Sequence, residues 1–133
     1  MIVADAALVA GLIFSADDFH PVALRVRQQD PDWHSPELLF SEVRNVGLKQ
    51  LRKPGNTLDA LIARCNLVAG QVSVYRLHSH GVLHAATEGG LTAYDAEYVA
   101  LARQLSAVLV TTDELVLRKF PALAKSPEQF LKS

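Results

Sequence analysis

Four acidic residues lie beside apolar runs or on apolar helix faces, where a carboxylate is unusual. Asp5 and Asp113 follow short apolar runs, whereas Glu42 and Asp95 lie on the otherwise apolar faces of two predicted helices. Burying a carboxylate without a partner is unfavourable, and a bound divalent cation would relieve the repulsion among four of them. Oxygen-only ligands favour Mg²⁺ or Mn²⁺ over Zn²⁺. The implied chemistry is hydrolysis of a phosphodiester, with the metal activating water and screening the phosphate.

The elements that position these acids read as an α/β fold with a parallel sheet. The apolar runs Ile2-Val3-Ala4 and Ala107–Thr111 predict buried strands, and helical spacing follows the first run at once. Short strands alternate with helices along the chain, which indicates a parallel sheet covered by helices. Because the carboxyl ends of parallel strands meet at one edge, we expect Asp5 and Asp113 to be neighbours.

Helical spacing turns the other two acids inward. Asp95 shares a stripe with Val99 and Ala102, and Glu42 lies between Leu38 and Val46 on its helix. Each acid also has a purely structural explanation: Asp113 as a helix cap, Asp95 in a capping box begun by Thr92, and Glu42 at a helix edge. The basic residues near Glu42 lie on other faces of its helix; they are Arg44, Lys49 and Arg52.

Turn and capping residues predict the remaining elements. Predicted helices run from a cap at Asp17-Asp18 to Gln29 and from Ser35-Pro36-Glu37 to just before Lys53. Three more run from a Thr57 cap to Ala69 with Gly70 as the stop, from Ser79 to Glu88 with Gly89-Gly90 as the stop, and from about Tyr94 to Leu105. Brief strands are predicted at Trp33-His34 and Val72–Tyr75. The tail from Ser126 to Phe130 is expected to hold at most a short edge strand.

Composition predicts one domain spanning residues 1–133, with half of the residues apolar and no repeat or linker. Thirteen basic and fourteen acidic residues give a net charge of −1, so binding to a polyanion would depend on local patches. Cys65 is the single cysteine, Met1–Asp5 lacks a basic signal-peptide region, and the apolar run Ala6–Phe14 is too short to cross a membrane. These features predict a cytoplasmic protein without a membrane segment.

Four segments carry a resemblance to a known family. They are Met1–Ala6, Pro36–Asn45, Leu91–Ala102 and Leu109–Asp113, of which the third is the most specific. At these residues the chain resembles the PIN-domain family and, within it, the VapC-like toxins of type II toxin–antitoxin pairs. The resemblance runs from Met1 to about Leu123.

The resemblance implies a PIN-like three-layer fold, with a short parallel sheet of four to five strands flanked by helices. It further implies a metal-dependent endoribonuclease in which Asp5, Glu42, Asp95 and Asp113 hold one or two Mg²⁺ or Mn²⁺ ions and Thr111 supports the site through its hydroxyl. The implied partners are an RNA substrate, a cognate antitoxin and a second copy of the chain. Ala7 stands where the family usually has a hydroxyl residue, so a catalytically weakened RNA-binding or protein-interaction module is the alternative.

Other chemistry-bearing residues have weaker patterns. Among His78, His80 and His84, only the last two share a helix face, which argues against a three-histidine zinc site. The candidates for contacts with RNA phosphates are Arg25, Arg27, Arg44, Arg52 and Lys53, and the candidates for stacking on bases are Trp33, Phe40, Tyr94 and Tyr98. A phosphate-transfer enzyme with an aspartyl nucleophile typically needs a second acid two residues after the first, and Ala7 occupies that position.

Overall fold

A five-stranded parallel sheet forms the centre of the computed structural model, which describes residues 1–133. In chain order the strands are β1 (Ile2–Ala4), β2 (Trp33–Pro36), β3 (Ser73–Tyr75), β4 (Val108–Val110) and β5 (Ala124–Lys125). They lie side by side in the order β3-β2-β1-β4-β5, and every neighbouring pair is parallel. The predicted α/β class and parallel sheet are therefore confirmed, and β1 and β4 are adjacent at the centre.

Nine helices surround the sheet. They are α1 (Ala6–Ile13), α2 (His20–Gln29), α3 (Leu39–Leu51), α4 (Leu58–Asn66), α5 (Val68–Gln71), α6 (Ser79–Gly89), α7 (Ala93–Leu105), α8 (Glu114–Lys119) and α9 (Pro127–Leu131). Thr57 and Thr92 cap α4 and α7 with their side chains, as predicted. Gly90 ends α6 in the left-handed conformation, with φ of 63°, where a side chain would be strained. No helix is long and apolar enough to cross a membrane.

The core lies between the central strands and the helices that cross them. All three residues of β1 are buried, and α7 packs against β1, β2 and β4. The inward stripe of α7 includes Ala96, Val99 and Ala102, each fully buried. Small side chains on this stripe let the helix approach the sheet closely, which places the first turn of α7 at the sheet edge where β1 and β4 end.

Two predicted helix starts are wrong. Helix α2 begins at His20, because the Asp17 side chain accepts a hydrogen bond from the Phe19 N–H at 2.8 Å and forms a turn before the helix. The next helix does not start at Ser35-Pro36-Glu37, because β2 continues through Pro36 and pairs with β3. The Ser35 hydroxyl donates to the Ala4 carbonyl at 2.7 Å, and the Glu37 N–H donates to the Tyr75 carbonyl at 2.8 Å. Parallel pairing on both sides therefore overrides the helical signal of the proline.

Two predictions further along the chain also need correction. The helix after Thr57 ends at Asn66, and Gly70 lies inside the separate helix α5 instead of stopping α4. The tail forms helix α9 in place of an edge strand, while the short edge strand β5 precedes it. Ser126 and Gln129 make a complete capping box, which starts this helix with Pro127 in its first turn.

Candidate active site

The carboxylate of Asp5 is fixed where β1 ends. One oxygen caps α1 by accepting from the Leu8 N–H at 2.8 Å. The other oxygen accepts from the Thr111 hydroxyl at 2.8 Å and from the Thr112 N–H at 3.0 Å. The main chain of Asp5 donates to the Val110 carbonyl at 3.2 Å, so the pairing of β1 with β4 holds the two strand ends together.

Thr111 joins Asp5 to Asp113. While its hydroxyl donates to Asp5, its oxygen accepts from the Asp113 N–H at 3.1 Å. Asp113 caps α8, because its Oδ1 accepts from the Val116 N–H at 2.9 Å. The structural reading of Asp113 as a helix cap is thus correct, but the cap occupies one oxygen and leaves Oδ2 without a hydrogen bond from the protein.

Glu42 and Asp95 approach the same pocket from α3 and α7. The Tyr98 hydroxyl donates to Glu42 Oε1 at 2.7 Å, and Tyr98 itself is buried. At the start of α7 the Thr92 hydroxyl accepts from the Asp95 N–H at 3.2 Å, but no reciprocal capping box forms. Apart from Thr92, no group of the protein hydrogen-bonds to the side chain of Asp95.

A cavity of about 220 Å³ brings these groups together at the carboxyl ends of the central strands. All four predicted acids and Thr111 line it, and so does Ala7 at the position where the resemblance leads one to expect a hydroxyl. The complete lining is Asp5, Ala6, Ala7, Glu42, Asp95, Tyr98, Leu109, Thr111, Thr112, Asp113 and Val116. The cavity lies outside the strand ends, where ligands bind in open parallel sheets.

Burial and neighbouring charges raise the pKa values of carboxyl groups in the pocket. Burial raises the pKa of Asp5 above its ordinary value, although hydrogen bonds from Thr112, Leu8 and Thr111 oppose the shift. The pKa of Glu42 is also raised, first by burial and then by the charges of Asp95 and Asp5. Burial and the charge of Asp113 raise the pKa of Asp95. The site therefore favours the arrival of a proton or a cation.

No basic side chain of the protein neutralises these acids. The salt bridges of the structure join the N-terminus to Asp30 and Asp32, His34 to Asp32, and Arg103 to Glu88. No three acidic, histidine or cysteine side chains converge closely enough to form a metal cluster by themselves. An all-oxygen donor set that leaves several positions to water or phosphate suits Mg²⁺, which usually keeps part of its water shell. The chemistry of the donor set thus suits a hard divalent cation, while the carboxylates do not converge into a cluster.

Two candidates for RNA contacts, Arg27 and Trp33, contact each other, and two of the candidate histidines lie away from the acidic pocket. Arg27 is engaged within the protein, because its guanidinium donates to the carbonyls of Pro31 and Gln71 and lies 4.3 Å from the centre of the Trp33 ring. Neither Arg27 nor Trp33 is therefore available for RNA. His80 and His84 share a face of α6, with ring centres 4.5 Å apart, and no residue of α6 lines the acidic pocket.

Two residues contribute to the pocket in a way that the sequence does not predict. Tyr98 is a candidate for stacking on bases, yet it is buried and its hydroxyl donates to Glu42. The available signal was its position three residues after Asp95, which places both side chains on one side of α7. Thr112 contributes its main-chain N–H to Asp5, and no side-chain pattern announces a backbone donor.

No model of a known protein family matches the sequence. The chain is similar to Ribonuclease VapC3 of Pyrobaculum aerophilum, with 29% identity over 127 residues that cover 92% of this chain and 96% of the relative. The crystal structure of PAE2754 from Pyrobaculum aerophilum matches with a TM-score of 0.71 and 25% identity, covering 98% of this chain and 92% of that one.

Two further solved structures share the fold at lower identity. A toxin–antitoxin complex from Klebsiella pneumoniae matches with a TM-score of 0.73 and 16% identity, covering 96% of this chain and 98% of that one. Mycobacterium tuberculosis VapC20, described as a sarcin–ricin loop cleaving toxin, matches with a TM-score of 0.66 and 18% identity, covering 90% of this chain and 96% of that one. Fold and pocket together define a PIN-like α/β protein with an acidic site at the strand ends. Within that class the chain is similar over nearly its whole length to Ribonuclease VapC3 of Pyrobaculum aerophilum.

Proposed function

We propose that this protein is a divalent-metal-dependent endoribonuclease, that it is the toxin of a toxin–antitoxin pair, and that residues 1–133 act as one nuclease domain. The observation that carries the proposal is the set of four carboxylates around one pocket with no protein cation to neutralise them. Similarity to Ribonuclease VapC3 over nearly the whole chain supports RNA as the substrate.

Asp5, Glu42, Asp95 and Asp113 are the residues we assign to catalysis and to holding Mg²⁺ or Mn²⁺. When bound there, the metal would supply activation of water and screening of the phosphate charge. The side chain of Asp95 has no hydrogen-bonding neighbour other than Thr92, and Asp113 has one free oxygen, so both can accept a cation or a water proton.

The supporting residues act on the carboxylates. Thr111 holds Asp5 in one orientation through its hydroxyl, and Tyr98 does the same for Glu42. Groups that orient ligands in this way commonly alter metal affinity or activity by roughly 10- to 100-fold when removed. Ala7 leaves its side of the pocket without a polar group, so these two hydroxyl donors carry more of the positioning.

A small antitoxin protein and a second copy of this chain are the proposed protein partners. The structural similarity to a toxin–antitoxin complex supports the first of these. A net charge of −1 gives RNA no long-range attraction to the protein, so the substrate must be recognised by local contacts and by shape.

The test is cleavage of labelled structured RNAs by the purified protein, with Mg²⁺, with Mn²⁺ and with a chelator. Asp95→Asn is the inactive variant, and Asp59→Asn on α4 is the matched control because it removes an exposed acid outside the pocket. We expect metal-dependent cutting that disappears in Asp95→Asn and persists in Asp59→Asn. Folded wild-type protein that cuts no RNA with either metal, yet still binds RNA, would favour the non-catalytic module.

A further inference from the structure

A pair of histidines on α6 has the geometry of a chelating site. His80 and His84 are one helical turn apart on the exposed side, whereas Val82, Ala85 and Gly89 face the core. The two ring centres are 4.5 Å apart, and the ring planes are inclined by 54°. The histidine side-chain hydrogen bonds of the structure belong to His20 and His34, so the ring nitrogens of this pair are free to bind a ligand.

The separation of the rings indicates the kind of ligand. A metal-bound imidazole nitrogen lies about 2.0–2.1 Å from the cation and its ring centre about 3.2 Å, so two imidazoles at right angles have centres about 4.5 Å apart. At the tetrahedral angle the same distances give about 5.2 Å. Ring centres 4.5 Å apart are close enough for both imidazoles to bind one cation. Square-planar and tetragonal nitrogen ligation is characteristic of Cu²⁺ and Ni²⁺.

The surroundings of the histidine pair add no third protein ligand. Glu88 lies one further turn along α6, and its carboxylate is held by two hydrogen bonds from Arg103. No three ligand-type side chains converge, so water would complete the coordination. We propose that His80 and His84 form an exchangeable transition-metal site, separate from the acidic pocket, that takes Cu²⁺ or Ni²⁺ because these ions bind nitrogen ligands tightly.

The site has a consequence for α6 and its neighbour. A cation that bridges one turn binds the helical form more tightly than the unfolded chain, so it stabilises the native state. Helix α6 packs along α7, whose first turn carries Asp95. Hard cations prefer carboxylates and borderline cations prefer imidazole, so the two sites would select different metals from one solution.

The experiment is a calorimetric titration of protein without a polyhistidine tag, using CuCl₂, NiCl₂ and MgCl₂ separately. His84→Ala and His80→Ala should each weaken Cu²⁺ and Ni²⁺ binding by about a hundredfold, because the second ligand no longer binds at high effective concentration. His78→Ala is the matched control, since His78 precedes the helix and makes no side-chain cap. Its affinity should equal that of the wild type.

Alanine is the best helix former, so the variants should retain the fold, and circular dichroism checks this. In wild-type protein, Cu²⁺ should selectively broaden the imidazole NMR signals of His80 and His84. Equal Cu²⁺ affinity in His84→Ala and wild type, or broadening confined to other histidines, would overturn the site. The result is independent of ribonuclease activity, because no cleavage is measured.

Discussion

Single hydroxyl groups orient two carboxylates of the pocket, those of Asp5 and Glu42. Thr111 donates to Asp5 and accepts from Asp113 through one oxygen, so one buried side chain fixes the relation between two strand ends. Tyr98 fixes Glu42 from the neighbouring helix, and burial together with the charge of Glu42 raises the pKa of Tyr98. The phenol therefore remains a donor across the physiological pH range.

Removing the hydroxyl group of Tyr98 should affect catalysis and not the fold. Tyr98→Phe keeps the buried ring but leaves Glu42 without its hydrogen bond, so we expect the RNA cleavage rate to fall by roughly tenfold. RNA affinity should be unchanged, which a purely structural defect would not produce. Tyr94→Phe is the control, because Tyr94 is 64% exposed and outside the pocket. Wild-type rates in Tyr98→Phe would contradict a positioning role.

The charge of Asp95 should destabilise the metal-free protein. Burial and Asp113 raise its pKa, so the associated stabilisation is fully present below the ordinary value of 3.8 and is lost as the pH rises through the raised pKa. At neutral pH, Asp95→Asn should raise the metal-free melting temperature by about 2 °C, since removing a partly exposed charge alters stability by roughly 0.5 kcal/mol. Thermal denaturation in chelator at pH 7.5 and pH 3.5 measures this. A gain that persists at the lower pH would exclude charge repulsion as its cause.

Helices α6 and α7 are joined by a turn that begins with Gly90 in the left-handed conformation. Gly90 has φ of 63°, and a Cβ added there would strain the backbone although it meets no neighbouring atom within 4 Å. We expect Gly90→Ala to lower the free energy of unfolding by about 1 kcal/mol in a urea titration. Gly70→Ala is the matched control, because Gly70 lies in α5 with open space around it and no positive φ. Equal effects of the two substitutions would show that the conformation of Gly90 is not the cause.

Local signals predicted some elements well and others poorly. The long apolar stripe of α7, the Thr92 cap and the Gly90 stop all agree with one another, and this helix is found where predicted. Ser35-Pro36-Glu37 also resembles a helix start, but there the two neighbouring strands decide the outcome, and they lie far away in the sequence. Likewise the inward acids were predictable from spacing, whereas the backbone donor of Thr112 depends on how β4 ends.

At the scale of the whole molecule, stability and metal binding should be linked through the pocket. If Mg²⁺ binds the folded protein and not the unfolded chain, then Mg²⁺ at 100 times its dissociation constant should raise the free energy of unfolding by about 2.7 kcal/mol. Mg²⁺ is the appropriate probe, because it prefers carboxylates and leaves the histidines of α6 unbound. Thermal melts at increasing Mg²⁺ concentration measure the effect.

Two variants distinguish binding of Mg²⁺ in the pocket from a general effect of salt. Asp95→Asn should begin from a higher metal-free melting temperature and gain less from Mg²⁺, because it loses both the repulsion and a ligand. Asp59→Asn should follow the wild type at every concentration, since its carboxylate lies on α4 outside the pocket. A monovalent salt of equal ionic strength should not reproduce the wild-type gain. Parallel curves for the wild type and Asp95→Asn would mean that Asp95 does not help to hold the cation.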